Sequence, residues 1–210
     1  MHRSLFLPAV FAAAFGLAAC GENTTGSTEP AALNPAEARA LAADFGDQDG
    51  ALLDGVPGGS FDRVPAGPMA AAVAVTTTFS RTRTCPAGGS VKLEGTMVHN
   101  GDPATRTGSL QFTATRTESA CAFSRNGGTL TINGNPSTTL TASQSWANAT
   151  PGVRTATKKG SFTWARSNGG SGTCALDVTH TWDPATHTLR VVGTVCNQTI
   201  DLTRTWTRGA

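Results

Sequence analysis

The chain reads as an all-β protein, an antiparallel meander of about eight or nine strands curled into a barrel, half-barrel or sandwich, preceded by a flexible tether and one short helix. Three observations predict this. Threonine is unusually frequent, at 33 of 210 residues, beside 24 glycines and no tyrosine, and a β-branched, low-charge composition favours pleated strands. From Ala70 onward, apolar and polar residues alternate with a period of two, the pattern of a half-buried strand. The alternating segments are joined by short links rich in turn residues, which makes successive strands antiparallel neighbours.

The first element is not part of that domain. Met1-His2-Arg3 is a short basic start, and residues 5–19 are almost wholly apolar. Such a run is shorter than the roughly 20 residues a membrane helix needs, and it has the basic head, apolar middle and small-residue exit of a secretory signal. The exit, Leu17-Ala18-Ala19-Cys20, resembles the lipobox of bacterial lipoproteins. The resemblance covers the first 21 residues and implies that residues 1–19 are removed and that Cys20 becomes the lipidated first residue. Attachment through two or three acyl chains is lasting, whereas one chain binds reversibly. Gly21 follows the cysteine where an aspartate would resemble an inner-membrane retention signal. The implied address is the bacterial cell envelope, at the outer membrane if the cell has one.

Residues 20–33 read as a lipidated N-terminus and flexible tether. In residues 34–68 a short helix precedes a Gly- and Pro-rich linker. Asn34-Pro35-Ala36-Glu37 carries an N-cap, a proline at the first turn and a glutamate three residues after the cap. Leu41, Ala42 and Phe45 supply an apolar stripe, and Gly46 reads as the stop. Asp47-Gln48-Asp49-Gly50 invites a calcium-loop reading, but Phe45 and Val56 would fill the first and twelfth ligand positions, so the motif fails and a solvated turn is expected.

Residues 69–210 form the β domain. The expected strands are 71–84, 90–99, 106–119, 128–133, 137–147, 153–166, 173–182, 187–196 and 199–207. Asn133-Gly134 is a strong hairpin signal because both residues accept positive φ. Asp102-Pro103-Ala104-Thr105 and Asp183-Pro184-Ala185-Thr186 repeat one turn sequence, with Asp accepting a backbone hydrogen bond and Pro presetting φ.

The lipidated cysteine leaves four in an oxidising compartment, which suggests two disulfides. Because strand direction alternates, Cys85 and Cys121 lie at one end of the sheet, Cys174 and Cys196 at the other. Mixed pairs would span roughly 30 Å at 3.3 Å per residue, against the 7 Å or so that a disulfide allows. The expected bonds are Cys85–Cys121 and Cys174–Cys196. One tension remains: Cys174 shares the apolar face of its strand, whereas Cys196 has the opposite parity to Val191 and Val195. A bulge near Gly193 or Asn197 would repair it.

No nucleophile elbow, phosphate loop or metalloprotease motif is present, and the expectation is a protein with no enzyme activity and no cofactor. His180, Asp183 and His187 cluster at one turn without zinc-like spacing, so no metal is expected. The candidate binding residues are Trp146, Trp164, Trp182 and Trp206, all toward strand ends, together with Arg81 and Arg83, which share a strand face. With Arg116, Arg154, Lys158, Lys159, Arg166, Arg190, Arg204 and Arg208, the two arginines would make a basic face. For an exported chain the matching partner is an anionic envelope lipid or polysaccharide, not nucleic acid. Charge is divided unevenly. Residues 20–68 hold eight acidic against two basic residues, a net of −6, and residues 69–210 hold thirteen basic against six acidic, a net of +7. Such a split points to an interaction tail or an anionic partner.

These readings converge on a lipid-anchored envelope protein whose β domain is a structural or binding module, with a lipocalin-like carrier of a small molecule or lipid as the alternative.

Overall fold

The computed structural model describes residues 32–54 and 73–205, apart from residues 103, 126 and 149. The leader, Cys20, the linker at 55–68 and Trp206 lie outside the described residues. Among the described residues one helix, α1 (Pro35–Asp54), precedes nine strands: β1 (Val73–Thr84), β2 (Ser90–Asp102), β3 (Thr107–Ser119), β4 (Cys121–Arg125), β5 (Gly128–Ala147), β6 (Thr150–Arg166), β7 (Ser171–Asp183), β8 (Thr188–Val195) and β9 (Gln198–Thr205). All pairings are antiparallel. The order is β1-β2-β3-β5-β6-β7-β8-β9, with β4 beside β5 and no pairing between β1 and β9. The sheet is therefore open. It curls around α1, which touches β1 at one edge and β8 and β9 at the other.

Alternation places the core. On β3, Leu110, Phe112 and Ala114 face inward, on β5 Leu140 and Ala142, on β7 Leu176 and Val178. Leu41, Ala42 and Phe45 of the helix, with Leu33 just ahead of it, are fully buried in the same cluster, so helix and sheet share one core. Leu33, the last residue of the expected tether, is thus part of the core, and residues 20–31 lie outside the described residues.

The helix start follows its sequence. Glu37 N donates to Asn34 Oδ1 at 2.9 Å and Asn34 N donates to Glu37 Oε2 at 3.0 Å, a reciprocal capping box. The expected stop at Gly46 is wrong: the helix runs on through 47–50 to Asp54, and Gln48 and Asp49 are buried rather than in a solvated turn. Gly46 has a different task. A Cβ there would lie 3.1 Å from the His180 ring, so the glycine lets the helix sit close against β7.

The expected Asn133-Gly134 hairpin is also corrected. Both residues lie inside β5, a strand of 20 residues, beside an irregularity between Gly134 and Thr138. Pairing with β6 on both sides of that irregularity outweighs the local turn preference. Asn133 instead accepts the Ala120 N–H on Oδ1 at 2.7 Å, where the chain turns with φ 47° from β3 into β4. The β4–β5 hairpin, which the alternation pattern missed, pairs Arg125 with Gly128, and Gly127 between them has φ 86°.

Cys85 is bonded to Cys121 and Cys174 to Cys196, the pairing that strand directions predict. The parity tension resolves at the turn. The β7–β8 register is unbroken, but Cys196 and Asn197 form the two-residue β8–β9 link with φ 51° and 62°. This left-handed pair swings the Cys196 side chain back toward β7. The two Asp-Pro-Ala-Thr turns adopt matching bonds, with Ala104 N donating to Asp102 Oδ1 at 2.8 Å and Ala185 N to Asp183 Oδ1 at 2.9 Å.

Candidate functional site

The chemistry of the described residues concentrates where α1 meets the concave face of the sheet. Parity puts Arg116 and Glu118 inward on β3, in line with Leu110, Phe112 and Ala114, and Lys158 inward on β6 beside Ala156. Asp49 descends from α1 between them. Arg116 and Lys158 are wholly buried, and Asp49, Glu118, Gln48 and His180 nearly so.

Arg116 is the hub. Its Nη1 pairs with Asp49 Oδ1, its Nε donates to Glu118 Oε1 at 2.7 Å, and its Nη2 donates to Gln48 Oε1 at 2.6 Å. Lys158 Nζ lies 2.9 Å from Asp49 Oδ2. That contact is an ion pair by distance without hydrogen-bond alignment: among the described residues neither Nζ nor Oδ2 has a hydrogen-bond partner, and Glu118 Oε2 has none either. Phe45 lies beneath both cations, with its ring centroid 4.9 Å from Arg116 Cζ and 4.2 Å from Lys158 Nζ. Two cations meet two carboxylates, so the cluster is charge-balanced in a medium where an unmatched charge would be very costly.

Burial and balance set the protonation tendencies. Burial pushes the Asp49 carboxyl up, but the Arg116 and Lys158 charges outweigh it and hold the group below the ordinary carboxylate range. Burial, helped by the Arg116 charge, brings the Lys158 amine down to about 8. The Arg116 guanidinium is lowered by burial, yet raised overall by Asp49 and Glu118. His180, whose Nε2 is 3.4 Å from the Ala42 carbonyl oxygen, is lowered by burial.

The rim of the helix repeats the theme with two partly buried pairs and one exposed pair. Glu37 meets Arg166 through two contacts at 2.6 and 2.9 Å, Asp44 meets Arg125, and Asp47 lies 3.9 Å from Arg204. The Glu37 carboxyl is held low chiefly by its Arg166 bonds.

The basic face expected from sequence is therefore not a continuous surface. Arg116 and Lys158 are interior, Arg166 and Arg204 face helix carboxylates, and Lys159 and Arg190 pair with Asp177 and Asp201 at 3.1 and 3.3 Å. Arg154 is half-buried on β6, and Arg208 lies outside the described residues. Arg81 and Arg83 do share a face of the edge strand β1. It is the concave one, opposite Leu93 and Val91.

The tryptophans are not brought together as a platform. Trp146 and Trp164 are buried and cover glycines on neighbouring strands, Gly108 and Gly172, where a Cβ would strike the indole. Trp146 also stacks on His99 at 5.0 Å, Trp164 lies under Arg166, and half-buried Trp182 sits 6.3 Å from His187. His180 points into the core while His187 occupies a turn with φ 51°. Among the described residues no three His, Cys, Asp or Glu side chains are grouped to hold a metal, and no helix is long and apolar enough to cross a membrane.

The sequence reading missed the buried cluster by sorting Arg116 and Lys158 by residue type rather than by position. The signal that would have found them is strand parity, since both alternate in phase with apolar neighbours. The chain matches no protein-family model, no curated protein and no solved structure.

Proposed function

We propose that the chain is a lipid-anchored module of the bacterial cell envelope, attached through Cys20 and presenting a helix-filled half-barrel as a structural or binding unit, with no catalytic role. The reading of its address rests on Leu17-Ala18-Ala19-Cys20 at the end of an apolar leader. The observation that carries the module over a carrier is the filled concavity. A lipocalin-like pocket needs the space that Phe45, Gln48 and Asp49 of α1 occupy, with Phe45 edge-on to Phe123 and Phe162 at 6.4 and 5.7 Å. An anionic envelope lipid or polysaccharide would meet the edge strand β1 at Arg81 and Arg83 rather than a broad basic surface.

The test of the anchor is Cys20→Ala. The variant should fold with both disulfides and move from the detergent phase to the aqueous phase in a phase-partitioning assay. A Cys20→Ala protein freed of residues 1–19 that stayed with detergent would overturn the anchored reading.

A further inference from the structure

We propose that Lys158 and Asp49 form an intramolecular amide, joining α1 to β6 by a covalent bond that the folded core itself promotes. The amine nitrogen lies 2.9 Å from a carboxylate oxygen, which holds it beside the carboxyl carbon it would attack. Both groups are enclosed, Lys158 at 0% and Asp49 at 5% exposure. The two are held together by charge at 2.9 Å, with Nζ and Oδ2 lacking an aligned hydrogen-bond partner among the described residues. Confinement of this kind replaces a bimolecular condensation by a unimolecular one, with effective concentrations far beyond any in solution.

The surroundings favour the amine side of the step, while, against burial, the Arg116 and Lys158 charges hold Asp49 ionised and make its protonation the costly part. Burial and the neighbouring Arg116 charge bring the Lys158 amine down to about 8, so a nucleophilic, neutral amine is within reach. Arg116 Nη1 already sits on Asp49 Oδ1, where negative charge develops when the carboxyl carbon becomes tetrahedral. Glu118 and Gln48 fix that guanidinium from two sides, as positioning residues.

The step balances without a co-reactant. The Lys158 ammonium gives one proton to Asp49 Oδ2. Its nitrogen lone pair then bonds to Cγ while the carbonyl electrons move to Oδ1 beside Arg116. As the carbonyl re-forms, the Cγ–Oδ2 bond breaks, and Oδ2 leaves as water with a second proton from the nitrogen. One positive and one negative charge vanish together, and Arg116 and Glu118 remain as a matched pair. Removing two ions from a low-dielectric core relieves their desolvation cost, and a core closed to solvent offers little water for the reverse reaction.

The test is a tryptic peptide map of the full chain, purified folded and then reduced. The expected result is a branched peptide joining the segments that contain Asp49 and Lys158, lighter than the sum of the two by one water. Lys158→Arg keeps the cation but cannot form the bond, and should yield two linear peptides. Separate linear peptides with unmodified Asp49 and Lys158 from the wild-type protein would overturn the proposal, whether or not the variant folds. Asp49 precedes Gly50, and such a pair can lose the same water by cyclising on its own backbone. A water loss that persists in Lys158→Arg, on a linear peptide, would assign the change to that side reaction and sink the cross-link.

Discussion

The concave face of the sheet holds Arg116, Glu118 and Lys158 in near-complete burial, whereas the convex face carries a row of threonines. Thr78, Thr96, Thr113, Thr141, Thr157 and Thr179 are successive register partners from β1 across to β7. Every residue in that row is exposed or half-exposed. The convex face gains β-propensity and solubility from hydroxyls that water satisfies. Its charges are exposed pairs such as Lys159–Asp177 and Arg190–Asp201, each contributing about 0–1 kcal/mol. The concave face has two buried cations against one carboxylate of its own, Glu118, and the helix supplies the second, Asp49. The difference explains the uneven charge along the chain. Glu37, Asp44, Asp47 and Asp49 belong to α1, and each meets a cation of the sheet. The four helix carboxylates and the sheet cations they meet are complementary parts of one helix–sheet interface.

The largest effect should come from removing one side. A chain beginning at Met69 lacks α1 and leaves Arg116 and Lys158 facing an open, apolar trough. It should not fold cooperatively, as judged by the loss of a single sharp transition in a thermal melt and of dispersed amide resonances. A sharp transition in that chain would mean that the concave face tolerates its cations alone, and that α1 is an accessory.

Arg116→Met is the next largest. It keeps the side-chain volume but strands Glu118 in the core, and removing one partner of a buried pair costs about 3–5 kcal/mol. Urea unfolding should show the loss as a lowered midpoint with little change in slope. A cost under about 1 kcal/mol, the range of exposed pairs, would place the cluster in effective contact with water.

What was legible in the sequence follows the same division. Alternation marked most strands, and strand direction with cysteine position gave both disulfides, because these depend on local pattern and chain reach. Asn34 and Glu37 announced the helix start because a cap is built from residues three apart. The helix end was hidden because Gly46 serves a contact with His180 on a strand far along the chain. Asn133-Gly134 misled for a similar reason: β6 pairs along β5 on both sides of it, and the sequence carries no sign of that long-range pairing. Arg116 and Lys158 were legible only by phase, and residue type argued the other way.

A smaller effect separates the faces by pH. His99 is buried on the concave side, stacked on Trp146, and its Nε2 has no hydrogen-bond partner among the described residues. Burial lowers its pKa below the usual histidine value. The unfolded chain therefore takes up a proton near pH 6.5 while the folded chain does not. The resulting stability is fully present above pH 6.5 and is lost as pH falls from there through the folded value. His99→Phe keeps the stack and should flatten that part of the profile of unfolding free energy against pH. An unchanged slope would show that the ring takes up its proton at the same pH in the folded and unfolded chains.

The smallest effect belongs outside. Thr141 sits mid-row on the convex face, exposed, between Thr113 and Thr157. Thr141→Val keeps the β-branch and removes only a hydroxyl that water already serves, so the change in unfolding free energy should stay within about 0.5 kcal/mol. The double variant with Thr113→Val tests the row as a unit, because opposed side chains on adjacent strands couple by about 0.2–1 kcal/mol at most. If the isolated protein instead lost several kcal/mol, the row would be held by something other than solvent. The convex face would then be a second buried surface, and the contrast between the two faces of the sheet would fall.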